Sequence, residues 1–187
     1  MKSAISYRYL NDDDIYEVSK FLDMHYTPYE PMVQCLGLTN EEMRVYSTTE
    51  SKETIPLNLS IAAIDDETNK ICGISMCAPW KPKPEVNTSM DKMSYLFRFA
   101  QWSETTLAEE LETTNILVED IIAVSQNLYN QGIGTELFRR TEQLAIDRCF
   151  DYIVGFATSD KTVKMLSTSG WKCMKKLDMS SYRDSYT

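Results

Sequence analysis

The residues with the most chemical content in this sequence are Gln131-Gly132-Ile133-Gly134-Thr135. They stand between an apolar run and an amphipathic one. Glycines there let successive main-chain N–H groups point outward at the positive end of a helix, an arrangement that can receive a diphosphate. A plain strand-to-helix turn is the other reading of the same residues. A dinucleotide fingerprint fits poorly, because Leu137 stands where its third glycine would be. The chain has one histidine, His25, so a Ser-His-Asp triad would depend on that residue alone. A structural zinc site would lack its usual ligand spacing, and no metal is expected.

Charge narrows the partners. With 19 basic and 28 acidic residues the formal charge is −9. Such a field repels nucleic acid and anionic lipid and favours cationic ligands, amines among them. Neither nucleic acid nor a membrane is expected as a partner. The first charged residues precede any apolar run long enough for a signal peptide, and no segment approaches the roughly 18 apolar residues of a membrane span. Five cysteines, an odd and scattered set without a Cys-x-x-Cys pair, suit reduced thiols. The expectation is a soluble, monomeric cytoplasmic protein. At 187 residues and 43% apolar content the chain can bury one core, which predicts a single domain over residues 1–187.

The elements that would position the glycine turn follow from periodicity. Residues 6–10 alternate as a strand, and Asn11 with Asp12, Asp13 and Asp14 places a cap and negative charge before a helix carrying Ile15, Val18 and Leu22. Residues 24–38, with Pro28 and Pro31 and no period, read as an irregular loop, followed by a short helix opened by Asn40. Residues 57–64 and 71–78 read as an antiparallel hairpin. The proline-dense run 79–84 reads as a stiff exposed loop. Met93, Leu96, Phe97 and Ala100 recur at helical spacing, and a further helical turn is expected over 107–111. Residues 116–125 form a strand, the helix beginning near Gln131 buries Ile133, Leu137, Leu144 and Ala145, and residues 152–158 form the next strand. That order makes a right-handed crossover between parallel neighbours. A helix over 160–168 closed by Ser169-Gly170 and a last strand over 171–177 complete the pattern.

Three motifs in this order carry a family resemblance. Ile121-Ile122-Ala123-Val124-Ser125 with Tyr129-Asn130-Gln131-Gly132-Ile133-Gly134 resembles the acetyl-coenzyme A motif of the GNAT superfamily of N-acetyltransferases, Gln/Arg-x-x-Gly-x-Gly/Ala. Ser169-Gly170-Trp171 resembles the Leu-Gly-Phe that closes the next helix in that superfamily. The segment from His25 to Met32 is similar to the Phe-Phe-x-x-Glu-Pro-Leu segment of the invertebrate arylalkylamine N-acetyltransferase-like enzymes. The resemblance extends from Ser6 to Tyr186. It implies an α+β GNAT fold: a mostly antiparallel twisted sheet with one parallel, splayed strand pair and helices on both faces.

The same resemblance implies chemistry. Acetyl-coenzyme A would donate the acetyl group, and a small primary amine would attack it directly in a ternary complex. An alkylamine resembles lysine, with a pKa near 10.4, so at pH 7 about 3 pK units, roughly 4 to 5 kcal/mol, separate it from its neutral form. Glu30 matches the proposed base, acting through water. Thr158 and Thr162 match two hydroxyl residues four apart, Thr162 as the candidate proton donor or water-ordering group and Thr158 as its partner. The main chain of Ile122, Ala123 and Val124 would lie along the pantetheine arm, with the Val124 amide facing the developing oxyanion. Tyr129, Asn130, Gln131, Gly132, Ile133, Gly134 and Thr135 would hold the diphosphate, although Tyr129 stands where the superfamily has a side-chain donor. Tyr26, Tyr29 and Trp80 are candidates for an aryl slot. Lys161 and Lys164 could meet a coenzyme A phosphate, but exposed lysines on a helix are usually solvated, and they stay outside the site. The alternatives are acceptors of another kind, a polyamine or a protein N-terminus, and a non-catalytic acyl-coenzyme A-binding module. A polyamine site would carry extra carboxylates near Glu30.

Overall fold

The structure is a computed structural model that describes residues 4–82 and 91–184. Five strands, β1 (Ile5–Tyr9), β2 (Ile61–Asp65), β3 (Lys70–Pro79), β4 (Ile116–Val124) and β5 (Tyr152–Gly155), form one sheet in that spatial order. Pairings are antiparallel except for β4 with β5, which is parallel. Seven α-helices are described: α1 (Ile15–His25), α2 (Pro31–Leu36), α3 (Asn40–Thr54), α4 (Lys92–Glu104), α5 (Leu107–Glu110), α6 (Ile133–Asp147) and α7 (Asp160–Thr168).

The core lies on both faces of the sheet. On one, Val18, Phe21 and Leu22 of α1 and Ile55 pack with Ile74, Met76, Ile121 and Ala123. On the other, Ile133, Leu137, Leu144 and Ala145 of α6 pack with Ala63, Leu117 and Ile122. The apolar positions expected of α6 are those it buries. Its first helical residue is Ile133, with Gly132 as the cap in the left-handed conformation at φ 84°.

Two devices aim the first helix. Asn11 and Asp14 form a reciprocal capping box, and both Asp14 oxygens accept from Arg8 at 2.7 Å. This ties the end of β1 to the start of α1.

The structure corrects several sequence expectations. Residues 24–38 are not irregular: a 3-10 turn (Thr27–Tyr29) and α2 occupy them, each with proline at its opening. Proline suits that place because the first N–H groups of a helix have no internal partner. The helix after them is not short but spans 15 residues, and its cap is Thr39, whose hydroxyl and Glu42 form a second capping box. The strand expected from Leu57 starts only at Ile61, since Ile55–Leu57 is a 3-10 turn and Asn58 is left-handed. Pro79 ends β3 rather than opening a loop, and the Trp80 amide still donates to Ile116 O at 2.7 Å. Lys83 and Pro84 lie outside the described residues, as does Tyr186.

The strand predicted over 171–177 is not formed. Alternating residues need a neighbouring backbone to become a strand, and among the described strands β5 pairs only with β4. Trp171 turns back to pack on Phe138 and donates to Glu142 at 2.5 Å. The chain then returns to α4, where Tyr182 sits against Tyr95, Phe99 and Trp102, and Arg98 pairs with Asp184.

Candidate active site

The parallel pair is short. Register runs from Ile116 opposite Tyr152 to Glu119 opposite Gly155 and stops there. Beyond it β4 continues to Val124 with only β3 beside it, Val124 facing Gly73. A β-bulge sharpens the divergence: Met76 faces Ile121 and Cys77 faces Glu119, leaving Asp120 as the extra residue. A bulge bends its strand and swaps the faces that later side chains take. Leu117 lies on the α6 side, whereas Ile121 and Ala123 lie on the α1 side. The carboxyl ends of β4 and β5 thus part at a gap, the customary place for a ligand in sheets with parallel neighbours.

Glu30 stands at that gap. It is the cap of α2, where its Oε1 accepts from the Met32 amide at 3.3 Å, and its Oε2 accepts from Thr158 Oγ1 at 3.0 Å. Burial pushes its carboxyl above the ordinary range, while the Thr158 hydroxyl and the Met32 amide pull it back by bonding the charged form. Of the two threonines singled out in the sequence, only Thr158 reaches Glu30. Thr162 shares a 2.8 Å hydrogen bond with Ser159, whose hydroxyl also accepts the Thr162 amide and caps α7.

The α6 entrance lies beside these residues. Asn130 (φ 61°) and Gly132 (φ 84°) are both left-handed, a conformation that fans successive amides outward. Among the described residues, none of the amides from Asn130 to Thr135 donates to a protein acceptor. A Cβ at Gly132 would meet no atom within 4 Å, so the loop is open on that side. Gly134 lies against α7, where a Cβ would come within 3.0 Å of Met165 Sδ. This cradle fits the diphosphate of a nucleotide thioester: six main-chain donors at a helix's positive end, with room in front of them.

The aromatic candidates divide. Tyr29 is half-exposed beside Glu30. Tyr26, expected in a loop, ends α1 and packs toward the core together with Tyr46. Both rings keep some surface at the solvent, but burial raises both phenol pKa values well above normal. The carboxylates of Glu30, Glu50 and Asp120 raise them further, so these groups share one neighbourhood. Trp80 lies farther along, packed with Leu107, Ile116 and Val118, and its indole N–H is buried without an acceptor among the described residues.

A cavity of about 290 Å³ opens beside Trp80, lined by that residue, Lys81 and the carboxylates of Glu50, Glu53, Glu104 and Asp120. These carboxylates went unread in the sequence because they come from three separate elements, α3, α4 and the bulge of β4. Only the excess of acidic residues hinted at them. A cavity of about 320 Å³ between β1 and α6 also carries charge, but its Arg8, Arg139 and Arg140 are already paired with Asp14 and Glu136.

Among the described residues no group of three or more His, Cys, Asp or Glu could hold a metal ion, and no helix is long and apolar enough to cross a membrane.

No family model matches the sequence, and no curated protein matches it by sequence. Solved structures do match. A mosquito arylalkylamine N-acetyltransferase-like 5b superposes with a TM-score of 0.83 at 20% identity, covering 97% of this chain and 90% of that one. A Drosophila melanogaster polyamine N-acetyltransferase, which forms N-acetylagmatine, gives 0.84 at 15% identity over 97% and 90%. An aminoglycoside N-acetyltransferase solved with coenzyme A gives 0.60 at 10% identity over 99% and 97%. The chain has the fold shared by these enzymes.

Proposed function

We propose that this protein is an acetyl-coenzyme A-dependent N-acetyltransferase acting on the primary amine of a small molecule, with Glu30 as its general base. The observation that carries the reading is the partly buried Glu30 carboxylate, bonded by Thr158 where β4 and β5 part, beside the unpartnered amides of residues 130–135. Bound there, acetyl-coenzyme A would supply an activated thioester. The amides of Asn130 to Thr135 would hold its diphosphate. The free edge of Ile122, Ala123 and Val124 would align the arm, with the Val124 amide aimed at the acetyl oxygen.

Glu30 would take the ammonium proton through water. Burial suits it to that task, because a raised pKa narrows the gap to the amine. Thr158 would hold the carboxylate in place. Thr162, joined to Ser159, would order water or protonate the departing thiolate. These roles belong to a monomeric cytoplasmic enzyme without a metal.

Tyr29, half-exposed beside Glu30, supports an arylalkylamine acceptor, with Tyr26 and Trp80 as further aromatic candidates. A specific observation favours a second acceptor class. The cavity beside Trp80 is lined by Glu50, Glu53, Glu104 and Asp120 together with Lys81, and Glu50 and Asp120 share the neighbourhood of Tyr26 with Glu30; an acidic wall matches a second ammonium group better than a neutral ring. Polyamines and agmatine have that chemistry.

Titration calorimetry with acetyl-coenzyme A, followed by thiol release with tryptamine, dopamine, spermidine and agmatine, tests both readings. Turnover of spermidine and agmatine alone would select the polycation. Turnover of the aryl amines alone would select the aryl slot. Binding without turnover of any amine, unchanged in Glu30→Ala, would leave a non-catalytic acyl-coenzyme A module.

A further inference from the structure

Lys161 occupies an electrostatically unfavourable place. It lies in the first turn of α7, where the helix dipole favours anions. In a chain with nine excess negative charges it nevertheless makes no ion pair among the described residues; its Nζ sits 4.9 Å from the centroid of the Tyr129 ring. Tyr129 immediately precedes the unpartnered amides of residues 130–135, and the start of α6 is clasped to α7 through Gly134 and Met165. Two independent contacts thus bring an exposed ammonium to the rim of the amide cradle. The ring face steadies the cation while leaving its N–H donors free to meet another partner.

We propose that Lys161, held on the face of Tyr129, supplies the positive charge that meets the nucleotide's diphosphate, a charge that position 129 cannot provide itself. The assignment rests on the acyl-coenzyme A reading above. Lys161 meets Tyr129, on the cofactor side, so it acts on cofactor affinity and leaves amine selection alone. Its cost is borne by the folded protein, which keeps a cation at a helix N-terminus.

Calorimetric binding of coenzyme A and of 3′-dephospho-coenzyme A to the full chain tests this. Lys161→Met and Tyr129→Ala should each weaken both nucleotides about tenfold at low salt, as loss of one charge-assisted contact does. The difference should shrink at high ionic strength. Tyr129→Phe, which keeps the ring, should bind like the parent. The double variant K161M/Y129R should recover affinity by placing a guanidinium beside the same amides. Thermal melting should show K161M at least as stable as the parent, which separates lost binding from lost folding. Parent-like binding by K161M would overturn the proposal, as would a loss confined to the nucleotide bearing the 3′-phosphate. Failure of the unaltered protein to bind either nucleotide would overturn the acyl-coenzyme A reading itself.

Discussion

Thr158 Oγ1 donates to Glu30 Oε2 at 3.0 Å across 128 residues of chain. The bond joins the loop beyond β5 to the cap of α2, and it opposes the burial that raises the Glu30 pKa. Thr158→Val keeps the shape and removes the donor, so the Glu30 pKa should rise further. The base works ionised. The acid limb of kcat/KM should therefore move to higher pH in the variant, with a larger loss at pH 6 than at pH 8. A pH profile with one amine at saturating acetyl-coenzyme A measures it, and an unmoved limb would remove Glu30 as the titrating base.

Glu30→Gln should lower kcat by about 10² to 10⁴, the usual contribution of a positioned base. Acetyl-coenzyme A affinity should be preserved, since in the proposed mode the carboxylate meets the amine and not the nucleotide. Single-turnover kinetics paired with calorimetry separates the two effects.

Gly132→Ala isolates the backbone at the cradle. A methyl group there would touch nothing within 4 Å, but φ 84° is strained for any residue with a Cβ. The expected result is a loss of about 1 kcal/mol in stability, together with weaker cofactor binding and an unchanged KM for the amine. Chemical denaturation and calorimetry report the two halves.

The carboxylates along the cavity should discriminate between acceptors. In the double variant E50Q/E53Q the KM for spermidine should rise roughly three- to tenfold, the effect of removing two partly exposed charges, and that for tryptamine less than about twofold. Raising the salt concentration should narrow the difference. Equal effects on both amines would exclude this wall as the seat of a second ammonium.

Glu119 gives a pH dependence of stability unrelated to catalysis. It is buried in the sheet with Ser75 donating at 2.6 Å, and burial raises its pKa to about 8. The folded state therefore holds a proton that the unfolded chain releases near the ordinary carboxylate value. Stability from this group is complete below that value and is lost as the pH rises through about 8. Glu119→Gln should flatten the slope between pH 5 and pH 9 and be more stable than the parent at pH 9, as urea unfolding at several pH values would show.

The sequence by itself determined the crossover from β4 through α6, because the apolar period of Ile133, Leu137, Leu144 and Ala145 and the two glycines are local signals. It also carried Glu30, through the motif around Pro31. Where an element depends on a neighbour, local pattern was insufficient. Residues 171–177 alternate like a strand, yet no described strand lies alongside to pair with them, and prolines that read as loop breakers at 28 and 31 open helical turns.

Only the tertiary structure decided which hydroxyl bonds Glu30, which carboxylates line the cavity beside Trp80 and which lysine stands beside the amide cradle. Thr158 and Thr162 differ little in sequence, but one follows β5 toward Glu30 and the other turns inward to Ser159. Glu50, Glu104 and Asp120 are distant along the chain and meet because Asp120, like Val118, projects to the face of β4 opposite Leu117, where α3 and α4 bring Glu50 and Glu104. The physical reason is the range of the forces. Helix caps, glycine turns and hydrophobic periods act over a few residues, whereas charges and hydrogen bonds between separate elements exist only after the sheet has set their distances.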